Sequence, residues 1–107
     1  MATPITVTVT AGTVSTKTVY DFNGDGKSDI LWRHTSGGVY EWLMNGTSIL
    51  TTGGIGAPDN TWTIQGVGDF NGDGKSDILW RNTTSGETAV WLMNGTSILT
   101  TGSVGTA

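Results

Sequence analysis

Apolar and polar positions alternate along much of this chain with the two-residue period of half-buried strands. In PITVTVTAG (4–12), Ile5, Val7 and Val9 alternate with threonines. Residues 61–68 (TWTIQGVG) set Trp62, Ile64, Gly66 and Gly68 on one face, and DILWRNT (77–83) follows with large apolar residues. After a Ser-Gly turn at 85–86 comes TAVWLM (88–93). Asn94-Gly95 then suits the tight two-residue turn of a hairpin, and TSILTT (96–101) returns. No 3.6-residue stripe persists, and 17 Gly and 20 Thr weigh against helix. The pattern predicts an all-β chain.

The pattern also repeats. DFNGDGKSDILWR at 21–33 recurs letter for letter at 69–81, a shift of 48, and WLMNGTSILTTG at 42–53 recurs at 91–102, a shift of 49. The second copy therefore carries one extra residue between the two blocks. Each copy predicts four short strands, those of the first falling at 13–20, 29–35, 39–44 and 47–52. A period near 48 residues lies in the range of propeller blades, in which one supersecondary unit cannot bury its own faces. The expected organisation is an extra N-terminal strand over 1–12, able to latch onto another unit's open edge, then one unit over 13–59 and a second over 60–107. GGIGAPDN (53–60) and the tail 102–107 have the composition of linkers.

Charge adds the first functional hint. The formal net charge is −4, and six of the nine acidic residues fall in two short segments: Asp21, Asp25 and Asp29, then Asp69, Asp73 and Asp77. Acid packed so densely repels itself unless a cation sits among it. Two divalent ions, one per segment, would cancel the formal charge. With only five Lys plus Arg, the chain lacks a phosphate-binding surface, so no nucleic-acid partner is expected. No apolar run approaches the roughly 18 residues of a membrane span, so no membrane insertion is expected. Without cysteine there are no disulfides, thiolate metal sites or cysteine nucleophiles. Met1-Ala2-Thr3-Pro4 lacks the charged and apolar regions of a secretory signal.

Both acidic segments read D-x-N-x-D-G-x-x-D. Carboxylate or carboxamide oxygens at positions 1, 3, 5 and 9, with a backbone carbonyl near 7, form the hard oxygen cage that calcium prefers. Glycine at position 6, Gly26 or Gly74, permits the sharp bend that turns alternate side chains inward. An EF-hand would need a glutamate at position 12 and flanking helices, whereas here position 12 is Trp32 or Trp80 and the flanks are strands. Asp, Asn and Gly favour turns without any ion. A turn needs one or two such residues, however, and this spacing supplies four oxygen side chains twice. Calcium is expected ahead of magnesium, which demands tighter octahedral geometry.

DFNGDGKSDILWR followed by WLMNG resembles the FG-GAP/VCBS repeat of integrin α-subunit propellers, many secreted bacterial proteins and some fungal lectins. The resemblance covers roughly 13–107 and implies four-stranded blades with calcium in the loop between the first two strands. Carried over, the ligands are Asp21, Asn23, Asp25, the Lys27 carbonyl and Asp29, then Asp69, Asn71, Asp73, the Lys75 carbonyl and Asp77. It also implies an extracellular or cell-surface setting and a non-enzymatic scaffold for recognition or adhesion, with a carbohydrate or a protein as ligand. A lectin with sugar sites between blades is the alternative, and a designed or ancestral self-assembling fragment is a third reading. Family propellers close with about seven blades and this chain carries two. Two blades leave open flanks, so identical chains are expected to close by homo-oligomerisation into an even-bladed ring, a trimer ahead of a tetramer.

Five tryptophans, Trp32, Trp42, Trp62, Trp80 and Trp91, suit either sugar stacking or packing between sheets. Four of them stand at repeated positions, which favours packing. Arg33 and Arg81 are expected to pair with nearby carboxylates or carbonyls. Of the three sequons, at Asn45, Asn82 and Asn94, two coincide with the hairpin turns, and the lone His34 has no second ligand beside it. Glu41, Asp59 and Glu87 are scattered and form no acid–base pair, so no enzymatic activity is expected.

Overall fold

The computed structural model of the chain describes residues 20–106, and the regular elements within them are all β-strands. β1 (Ile30–Arg33), β2 (Val39–Asn45) and β3 (Ser48–Gly56) form a three-stranded antiparallel sheet in the order β1-β2-β3. β4 (Trp62–Gly68), β5 (Asp77–Asn82), β6 (Glu87–Asn94) and β7 (Ser97–Thr106) form a four-stranded antiparallel sheet in the order β4-β5-β6-β7. The described residues thus hold two meander sheets and no closed ring. The expected lead strand of the first unit at 13–20 and the added strand over 1–12 lie outside the described residues, apart from Tyr20 in a turn.

Three sequence expectations need correction. β3 runs to Gly56 and β7 to Thr106, so most of the presumed linker and tail is strand. Their glycines resembled linker composition, yet β2 and β6 are long enough to pair with them, as Glu41 does with Gly53 and Val90 with Gly102. The hairpin turns also fall one residue later than expected. Asn45 pairs with Ser48 and Asn94 with Ser97, leaving Gly46-Thr47 and Gly95-Thr96 as the turn residues. Gly46 and Gly95 take φ of 63° and 61°, a conformation that suits glycine at the first central position. Finally, β4 does not keep strict alternation. Ile64 pairs with Trp80 and Gly66 with Leu79, so Gln65 is the extra residue of a bulge.

The core lies between the two sheets. Phe22, Val39, Leu43 and Ile55 from the first unit meet Ile78, Trp80 and Met93 from the second, flanked by half-buried Trp62, Ile64 and Trp91. Strand alternation explains the choice: Val39, Glu41 and Leu43 project from one face of β2, and Ile78 and Trp80 from one face of β5. Backbone bonds close one end of the seam. Ser76 N–H donates to the Asp21 carbonyl at 2.7 Å, Asp21 N–H to Ser76 Oγ at 2.9 Å, and Gly95 N–H to the Phe22 carbonyl at 2.7 Å. At the other end, Arg33 Nη2 reaches the carbonyls of Pro58, Asp59 and Trp62 at 3.0–3.2 Å, and its guanidinium lies 5.0 Å from the centre of the Trp80 ring.

Candidate metal centres

Each acidic loop leads into the first strand of a hairpin, β1 or β5, and the two loops are built alike. In the second, Asp69 Oδ1 accepts N–H bonds from Gly72 at 2.8 Å and Asp73 at 3.1 Å, while Oδ2 accepts from Gly74 at 2.9 Å. The backbone wraps around its first carboxylate. In the first loop Asp21 takes the same three bonds from Gly24, Asp25 and Gly26 at 2.9, 3.2 and 2.9 Å. Gly26 and Gly74, the position-6 glycines, hold φ of 84° and 87° as the bend requires. Asn23 and Asn71 hydrogen-bond to the position-5 aspartates, and Asp25 and Asp73 each accept from the lysine N–H two residues on at 2.9 Å.

The ninth-position aspartates have a further part. Asp77 is fully buried. Its Oδ2 accepts from Phe70 N–H at 3.0 Å and its Oδ1 from Met93 N–H at 2.8 Å. Asp29 repeats this with Phe22 at 3.0 Å and Met44 at 2.9 Å. Each therefore ties the start of its loop to the far end of the hairpin strand, β2 or β6. Burial raises the pKa of both above the ordinary carboxylate value, the backbone bonds pull it down, and the two sister aspartates raise it again. A cation in the loop would relieve that crowding.

Asp69, Asp73 and Asp77 each present an oxygen within 4.8 Å of the others. Oxygens 2.3–2.6 Å from one calcium ion stand at most about 5 Å apart, so this convergence and the all-oxygen donor set fit that ion. The first loop keeps the same hydrogen-bond scaffold for Asp21, Asn23, Asp25 and Asp29, but its three carboxylates do not converge in the same way, and the Lys75 side chain lies alongside its Gly24.

Other singled-out residues fall elsewhere. Trp80 is buried and Trp62 and Trp91 are half-buried, as packing predicts, whereas Trp32 is exposed. Trp32–Trp42 and Trp80–Trp91 form tilted pairs with centroids 5.1 and 4.9 Å apart. Arg33 finds carbonyl partners, as expected. His34 Nδ1 engages its own turn through Ser36. Sequence reasoning missed two features: the role of Ser76 in joining the loops, and the complete burial of Glu41, whose carboxylate oxygens have no hydrogen-bond partner. Glu41 had one available signal, since the second copy carries Val90 at the equivalent position.

Two β-meanders whose D-x-N-x-D-G-x-x-D loops converge at one end of an inter-sheet seam define a repeat protein of the FG-GAP type. The family model described as FG-GAP-like repeat matches residues 21–80, more than half of the chain, and the chain belongs to that family. No curated protein and no solved structure matches it. No helix among the described residues is long and apolar enough to cross a membrane.

Proposed function

We propose that this chain is a non-enzymatic, calcium-binding pair of propeller blades that serves as a scaffold for extracellular recognition or adhesion. The observation that carries this reading is the convergence of Asp69, Asp73 and Asp77 within 4.8 Å on a loop already shaped by backbone bonds. Asp69, Asn71, Asp73 and Asp77, with the Lys75 carbonyl, would hold one ion. Asp21, Asn23, Asp25 and Asp29, with the Lys27 carbonyl, would hold the second. Bound there, calcium supplies charge neutralisation and fixes the loop against its hairpin. Two of the three remaining acids support the non-enzymatic reading: Glu41 is sealed in the core, and Asp59 is engaged by the hydroxyl and N–H of Thr61, which hold its carboxyl below its ordinary range.

Calorimetric titration with calcium tests the reading. Two ions should bind per chain, one after Asp73→Ala and none after Asp25→Ala combined with Asp73→Ala. A wild-type chain that takes up no calcium contradicts it. A lectin is the second reading, favoured by the recess of about 210 Å³ at the seam between Pro58, Trp62, Ala89 and Trp91. A reproducible hit in a glycan screen would establish it.

A further inference from the structure

The two units share most of their residues, yet each buries a different face. Phe22 is 0% exposed, and its counterpart Phe70 is 50% exposed. Leu43 and Ile55 are buried, whereas Leu92 is half-buried and Val104 exposed. The opposite faces show the reverse. Trp80 is 1% exposed and its counterpart Trp32 46%. Likewise Ile78 and Met93 are buried, while Ile30 is exposed and Met44 half-buried. The front of the first sheet packs on the back of the second. The front of the second and the back of the first carry similar residues, with Thr88 in place of Val39 and Tyr40 in place of Ala89, and nothing lies against them among the described residues.

The second sheet's front forms an apolar groove of about 410 Å³ lined by Phe70, Leu79, Val90, Leu92, Gly102 and Val104. We propose that this groove receives the back face of a second copy of this chain, Ile30, Trp32 and Met44, in a head-to-tail association that repeats the contact already made within the chain. The internal seam shows that the homologous pair of faces fits when brought together. The clearance needed is also present. A Cβ on Gly53 would meet the Thr96 side chain at 2.7 Å, and one on Gly56 would meet Trp91 at 2.9 Å. At the counterparts Gly102 and Gly105 nothing lies within 4 Å. Thr47 and Trp42 of the second copy would stand where Thr96 and Trp91 stand now. The groove also lacks the liability of the internal seam, because Val90 replaces the unpartnered Glu41. Such a contact leaves one open face at each end, so it propagates until copies close a ring, always with an even number of blades.

Sedimentation equilibrium of the full chain over a concentration series tests this. The average mass should rise above the 11.2 kDa monomer and settle at a fixed multiple. Gly102→Val adds a side chain into open space on a strand, so the chain should stay folded while the oligomer is lost. Leu92→Lys, in the same groove, should do the same and serves if the valine variant folds poorly. Ile30→Lys, on the opposite face, should also give monomers. Mixing Ile30→Lys with Gly102→Val should restore a one-to-one dimer and nothing larger, because each variant retains the face that the other lacks. A wild-type chain that stays monomeric at millimolar concentration overturns the proposal, as does a Gly102→Val or Ile30→Lys chain that self-associates like the wild type. These readouts are separate from calcium uptake, so either result can fail alone.

Discussion

Glu41 is the residue most at odds with its surroundings. It lies wholly inside the core, both carboxylate oxygens lack partners, and burial, aided by the nearby Asp29 charge, pushes its pKa up to about 8 from an ordinary 4.5. In the unfolded chain it titrates near its ordinary value. Between the two values the folded state holds a proton that the unfolded state has released, so stability falls as pH rises through that window and levels off above about 8. Glu41→Val, which installs the residue present in the sister unit, should flatten the Glu41 part of that fall. It should also add about 1–3 kcal/mol of stability at pH 8, because it removes an unsatisfied buried group. Chemical denaturation at pH 5 and pH 8 measures both. A variant with the same pH dependence as the wild type would show that Glu41 is not the group responsible.

At the scale of single elements, the aspartates of one loop divide into two kinds. Asp77 braces the hairpin through two backbone N–H groups, while Asp73 is exposed and bonds only within its loop. Asp77→Ala should therefore cost about 2–4 kcal/mol even in chelator, since two bonds to a buried charged acceptor are lost. Asp73→Ala should cost under about 1 kcal/mol in chelator and act on calcium uptake. Urea melts in chelator distinguish the two; equal losses would contradict the division. The loop pattern, the hairpins and the all-strand character of the described residues were legible in the letters, because turn glycines, Asx spacing and period-two alternation are local signals. The bracing bonds were not, since Met44 and Met93 contribute only their N–H groups and any residue has one. The strand character of 53–56 and 102–106 was hidden for a related reason. Glycine in a strand can mark close approach rather than a linker, and Gly53 beside Thr96 and Gly56 beside Trp91 are such places.

The described residues form two sheets held at a seam, and neither sheet can bury both faces alone. The duplicated letters predicted equivalent units, but not which face each would bury, since that depends on the neighbour each unit has. Arg33 fastens the seam at the end away from the acidic loops, reaching three carbonyls and the Trp80 ring. Arg33→Lys keeps the charge but not the planar fork, and should lower stability by about 1–2 kcal/mol by thermal denaturation. An unchanged melting curve would show that the contact is incidental.

At the opposite end the loops hold six of the nine acidic residues, and the Asp21–Ser76 bonds join them directly, so their mutual repulsion acts on the seam itself. An ion bound only by the folded chain stabilises it in proportion to the logarithm of its concentration over its dissociation constant. The central measurement is therefore the melting temperature of the full chain in millimolar calcium and in chelator. The melting temperature should rise clearly with calcium, and the rise should disappear in the Asp25→Ala, Asp73→Ala double variant. The same melting temperature in calcium and in chelator for the wild-type chain would contradict it.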